Sequence, residues 1–178
     1  FNEQTSNQLA VFDIGKEQLV EYMVPSKNPN WADCEDKSNS NCGVAQIFGF
    51  DVTDDKIWFT EWAENKIGVV DTKKPLPFTV KTDLESITMK KGETKKITLT
   101  VKHSSSNVGD IDFNSAHTAS TATISSDIMI SHTFNESNEI IVSITASEIA
   151  LSGEYKLLLG VFNSEVNVSK YIDVTIES

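Results

Sequence analysis

There is no arginine in these 178 residues; all 15 basic side chains are lysine. Proteins that read nucleic acids rely on the planar guanidinium fork and on a basic face. Lacking both, and with a net charge of −11, the chain is not expected to bind nucleic acid. Nor is there a stretch of 18 apolar residues, so the sequence contains no membrane-spanning helix, and any anchor would lie outside it. An initiator methionine and a signal peptide are also missing. Phe1 opens directly on a strand-like motif, which reads as the later part of a longer precursor. Catalytic signatures are absent too: no G-x-S-x-G, no G-x-x-x-x-G-K, no Ser-His-Asp order and no Cys-His pair. Helical periodicity is almost missing, which leaves strands as the building material.

What charge there is lies evenly along the chain. Residues 1–80 carry 7 lysines against 13 acids, and residues 81–178 carry 8 against 13. Neither half is a charged tail, so the acidity belongs to a solvated surface. The composition has enough apolar content for a real core, in one large domain or two small ones.

The two cysteines, Cys34 and Cys42, stand in the polar segment NWADCEDKSNSNCG. Two thiols on one exposed loop point to a short disulfide and to an oxidising compartment. The alternative is a metal pair, but zinc favours closer cysteines with further Cys or His partners, and residues 1–80 contain no histidine. The sequons Asn135-Glu-Ser137 and Asn167-Val-Ser169 make Asn135 and Asn167 glycosylation candidates and fit an extracellular or cell-surface protein.

A gapless repeat runs through the first half. Residues 1–13 read FNEQTSNQLAVFD and residues 59–71 read FTEWAENKIGVVD. Phe1/Phe59, Glu3/Glu61, Asn7/Asn65, Val11/Val69 and Asp13/Asp71 are identical pairs. Each copy predicts a hairpin whose asparagine supplies the left-handed turn. Flanking runs Leu19–Val24 and Val44–Val52 complete about four strands per repeat, with the Cys-bearing loop at roughly 26–42 as an insertion.

The string IWFTEWAENKIGVVD, with EQLVEYMVPS before it, resembles the blades of streptogramin (virginiamycin B) lyase-like β-propellers over about residues 1–75. The resemblance implies C-terminal propeller blades and, in true lyases, metal-assisted opening of a cyclic peptide lactone. It also implies an active-site histidine, and the strand Val44–Ile47 carries Gln46 where such a group is sought. Glu61 recurs as Glu3 and reads as a repeat residue rather than a catalytic acid.

Beyond the connector Lys73-Lys74-Pro75-Leu76-Pro77 the composition changes. Tryptophan disappears, and runs such as Ile97–Val101, Glu139–Ala146 and Val168–Ile176 alternate apolar and polar residues. Further candidate strands are Phe78–Thr82, Ser86–Met89, Ala122–Ser125, Ile128–Phe134 and Tyr155–Phe162, with one helical turn at Ser147–Leu151. Seven to eight short strands argue for a β-sandwich. GETKKITLTV, SGEYKLLLGVF and YIDVTIES resemble immunoglobulin-like or fibronectin-like accessory domains of secreted proteins, without the Cys…Trp…Cys core of antibody domains.

The expected fold class is therefore all-β: partial β-propeller blades over 1–75 and an immunoglobulin-like β-sandwich over 76–178. The expected function is a non-catalytic extracytoplasmic binding or structural module, part of a secreted or cell-surface protein or an extrinsic subunit of a membrane complex. The second reading is a lyase-like enzyme whose catalytic blades stand upstream. The partner is a protein, a cell-envelope component or further blades of the same precursor. Trp31 and Trp62 are candidate partner-binding residues, and core packing is expected for two of the three tryptophans. No catalytic residue and no cofactor are assigned. Asp51, Asp54 and Asp55 are the place where calcium or magnesium would sit. His103, His117 and His132 fit no ligand spacing and read as surface residues.

Overall fold

A computed structural model of the chain describes residues 1–3, 6–29, 31–35, 42–104, 108–119, 127–135 and 137–178. Among these residues every regular element is a strand, β1 to β14, and there is no helix. The segment read as a helical turn, Ser147–Leu151, holds a single hydrogen-bonded turn in which the Ala150 N–H donates to the Ser147 carbonyl at 3.1 Å. The chain divides into two compact units. The first comprises Phe1–Asp13, Leu19–Leu76 and Ser164–Asn167; the second comprises Ile14–Gln18, Pro77–Asn163 and Val168–Ser178.

In the first unit, β1 (Asn2–Glu3), β2 (Gln8–Asp13) and β3 (Gln18–Met23) lie side by side in that order. A separate antiparallel sheet holds β4 (Ile47–Thr53), β5 (Lys56–Glu61) and β6 (Lys66–Asp71). The sequence repeat is a structural repeat of one hairpin. Asn2 faces Leu9 and Glu3 faces Gln8, just as Thr60 faces Ile67 and Glu61 faces Lys66. Asn7 and Asn65 take the turn position with φ of +60° and +51°, a conformation that asparagine tolerates at low cost.

The two copies differ in what surrounds them. Asn7 is buried, and its side chain is fully used. Its Nδ2 donates to the carbonyls of Val24 (2.7 Å) and Ser26 (3.0 Å), and its Oδ1 accepts from the Ala45 N–H (2.6 Å). Around this clasp Leu9, Val24, Ala45, Ile47, Ile57 and Phe59 form the core. Gly68, opposite Phe59, has no room for a side chain: a Cβ there would lie 2.2 Å from Phe59 Cζ.

This arrangement corrects the propeller expectation. A propeller gathers the four strands of each repeat into one blade and repeats blades radially to protect their edges. Here β3 joins β2 rather than β4, and β4-β5-β6 ends as an open three-stranded sheet. The resemblance to streptogramin lyases rested on short strand-and-turn strings, and such local motifs serve open sheets equally well. Gln46 supplies a backbone acceptor, its carbonyl receiving the Trp62 N–H at 3.1 Å.

The second unit contains β7 (Phe78–Thr82), β8 (Ser86–Lys90), β9 (Thr94–His103), β10 (Asp112–Ala119), β11 (Ile128–Phe134), β12 (Glu139–Ala146), β13 (Gly153–Phe162) and most of β14 (Val166–Glu177). One sheet has the order β11-β12-β9-β7. The other runs β10-β13-β14, with β8 parallel to the end of β14. Apolar residues on alternate positions fill the space between them: Ile97, Leu99, Ile140, Val142 and Ile144 from one sheet, Leu157, Leu159, Val161, Ile172 and Val174 from the other. That strand order, four against three with an extra edge strand, is the immunoglobulin-like sandwich. A tyrosine corner supports it. Tyr155, early in β13, places its hydroxyl 2.7 Å from the Leu151 carbonyl oxygen and 3.0 Å from Oδ2 of the buried Asp127. The strand β10 was not foreseen, and the candidate strand Ala122–Ser125 lies outside the described residues.

Two stability outcomes follow. Gly68→Ala should destabilise the first unit by about 1–3 kcal/mol, because the buried Phe59 ring has to move; denaturant unfolding followed by tryptophan fluorescence reads this unit, which holds all three tryptophans. Tyr155→Phe should cost the second unit roughly 1–3 kcal/mol by removing the donor to buried Asp127, measured by far-ultraviolet circular dichroism.

Candidate functional site

Strand β5 alternates strictly: Ile57, Phe59 and Glu61 turn inward, while Lys56, Trp58 and Thr60 turn outward. The inward set meets the core built on Leu9 and Ile47, so Phe59 is buried and Trp58 faces outward. Opposite Trp58 stands Val69, and opposite Thr60 stands Ile67. On β4 the register shifts between Ile47 and Phe50, and Phe48 is left turned outward beside Trp62, with ring centroids 6.1 Å apart. The result is an apolar outer face in contact with solvent: Phe48 is 72% exposed, Trp58 44%, Trp62 72%, Ile67 73% and Val69 48%. Single exposed apolar side chains are ordinary, but several on one sheet face mark a contact surface.

Trp31 is also exposed, and its Nε1 donates to the Ala63 carbonyl at 2.6 Å, which pins the indole to the β5–β6 turn. All three tryptophans are thus exposed to a large extent, whereas core packing was expected for two. Phe48, Ile67 and Val69 were not singled out by sequence. Their signal was present as alternation on both sides of one hairpin, but alternation does not say which face is covered.

Cys34 and Cys42 are joined as a disulfide. Asp51 stands on β4 opposite Trp58, while Asp54, at φ +54°, and Asp55 form the β4–β5 turn, where Asp55 pairs with Lys73. Among the described residues, no three His, Cys, Asp or Glu side chains are grouped as metal ligands would be. His132 packs between Phe113 (4.5 Å) and Phe134 (5.4 Å), and His103 ends β9. A cavity of about 370 Å³ in the first unit has apolar walls, including Leu9, Val11, Phe50 and Ile57, with Asp54 and Asp55 among its lining. Glu61 Oε2 and Glu64 Oε1 are buried without a hydrogen-bond partner among the described residues, and Glu64 holds Lys66 at 2.9 Å through its other oxygen.

The two sequons have different settings. Asn135 is exposed in the β11–β12 turn, where its Oδ1 accepts from the N–H groups of Ser137 and Glu139. Asn167 is buried, and its Nδ2 donates to Glu21 Oε2 at 2.6 Å. Burial, then the neighbouring Glu3 carboxyl, raises the Glu21 carboxyl from 4.5 to about 7.

No protein-family model matches the chain, and no curated protein matches it. Among solved structures it is similar to domains 4 and 5 of the S-layer protein SbsC, at 16% identity over 69% of this chain and 65% of that one, with a TM-score of 0.38. It is also similar to the BIgI domain of beta protein from S. agalactiae bound to CEACAM1, at 22% identity over 56% and 96% of the two chains, TM-score 0.34. A third is I81 from titin, at 14% identity over 58% and 100%, TM-score 0.31. At such scores the likeness is loose, and the fold of the second unit rests on its own strand order and tyrosine corner.

The raised Glu21 carboxyl favours folding in its protonated form. Its contribution is full below pH 4.5 and is lost as pH rises through about 7. Relative to Glu21→Gln, the wild-type first unit should therefore lose on the order of 2 kcal/mol between those limits, read as the difference between two denaturant-midpoint-against-pH curves. Parallel curves would show that Glu21 does not titrate in this range.

Proposed function

We propose that the chain is a non-catalytic binding and structural module that works outside the cytoplasm, as part of a secreted or cell-surface protein. The observation that carries this reading is the exposed outer face of β4-β5-β6, with Trp58 on its central strand and Trp62 and Trp31 at the β5–β6 turn. Large, rigid aromatic side chains contribute contact area at little entropic cost, and they recur at binding hot spots. The partner is a protein or a component of the cell envelope. The immunoglobulin-like unit serves as spacer or attachment module, a role that needs packing rather than chemistry. The disulfide Cys34–Cys42 supports an oxidising compartment. An acidic surface without arginine disfavours nucleic acid. Of the two sequons, Asn135 is the one whose setting suits a glycan.

The test is co-sedimentation with cell envelopes isolated from the producing organism. The wild-type chain should pellet with them, and the Trp58→Ser/Trp62→Ser variant should bind at least about tenfold more weakly. Equal binding by a folded double variant would sink the reading.

A further inference from the structure

Strand β6 is the last strand of its sheet, and among the described residues nothing pairs with its outer side. The direction of its backbone groups follows from the ladder. Thr72 N–H donates to the Asp55 carbonyl at 2.8 Å, in the same register that sets Asp71 opposite Lys56. Hydrogen-bonded positions in an antiparallel pair alternate. Lys66, Gly68 and Val70 therefore bond to β5, and the N–H and C=O groups of Ile67 and Val69 point away from it. These are two of the exposed apolar residues of the outer face. Native edges are commonly blunted by a central charge, a proline or a bulge. The stretch Ile67-Gly68-Val69-Val70 has no charge and no proline, and its pairing with β5 is unbroken.

A row of alternating backbone donors and acceptors is matched by one kind of ligand, an extended polypeptide. Charge selects among polypeptides. A second copy would bring −11 against −11, whereas the charges beside this edge cancel locally, Lys66 against Glu64 and Lys73 against Asp55. A basic strand meets attraction from the whole molecule instead.

We propose that β6 takes up an extended, basic segment of a partner polypeptide as a fourth strand of the sheet. Its alternate apolar side chains lie over Ile67, Val69 and Trp58. The proposal rests on the binding role given to this face above, and it specifies the form of the partner.

The experiment uses the full chain and a capped peptide of about eight residues alternating valine and lysine, with amide hydrogen exchange read at Ile67 and Val69. Saturable protection of both amides, by about tenfold or more, is expected. The same peptide N-methylated at alternate residues should give none. Val69→Pro should abolish the protection of Ile67 while leaving the fold intact, since the Val69 N–H makes no ladder bond. If that variant does not fold, the methylated peptide carries the test alone. Absent protection, equal binding of the methylated peptide, or a dimer in light scattering that itself protects Ile67 and Val69 would each overturn the proposal. The two readings separate cleanly. Loss of envelope binding in the tryptophan variant without peptide protection keeps the face and removes the strand. Protection with undiminished envelope binding by that variant keeps the strand and removes the face.

Discussion

The amide of Asn7 holds together three stretches of the first unit that are far apart in sequence. Its two hydrogens go to the Val24 and Ser26 carbonyls, its oxygen takes the Ala45 N–H, and its own carbonyl accepts from Val24 N–H. A buried amide with every group bonded is worth having, and the same amide left unbonded would be costly. The turn that displays it requires φ of +60°, so the residue must both accept the left-handed region and carry a forked donor and acceptor. Asparagine meets both demands. Leu9 and Ala10, just beyond this turn, are consequently buried.

Asn65 makes the same turn but is itself exposed. Ile67 and Val69 then stand where Leu9 and Val11 stand in the first copy, yet they are exposed to solvent. The two repeated hairpins thus differ in their surroundings: both send residues into the core, Leu9 from one and Ile57 and Phe59 from the other, but only the second leaves Ile67 and Val69 exposed. The proposed contact surface of the unit is the part of a repeated motif that is left exposed.

Much of the second unit was legible from period-two alternation. Ile128–Phe134 and Glu139–Ala146 begin and end where the pattern indicates, and Ile140, Val142 and Ile144 share a buried face. Strand β10 escaped because Asp112–Ala119, DFNSAHTA, has no apolar alternation. It lies at the end of its sheet, paired with β13 alone, and its pairing is set by the backbone of β13 rather than by its own side chains. The candidate site was half legible. Trp31 and Trp62 were named as partner-binding candidates, but Val69 and Ile67 joined Trp58 in a row only when the opposite face was seen to be filled.

By itself the sequence determined the all-β class, the left-handed asparagine turns and the equivalence of two hairpins. All of these are local: a side chain's effect on its own backbone and a spacing of two along a strand. The tertiary structure decided how the strands gather into sheets, which hairpin is buried, and which side of β5 meets water. Those choices depend on residues distant in the chain, Asn7 with Ala45 and Leu9 with Phe59, and no local pattern encodes the partner of a sheet face. For the same reason a motif that resembles a propeller blade can end as an open three-stranded sheet: closure is a property of the whole assembly of strands, not of any one hairpin.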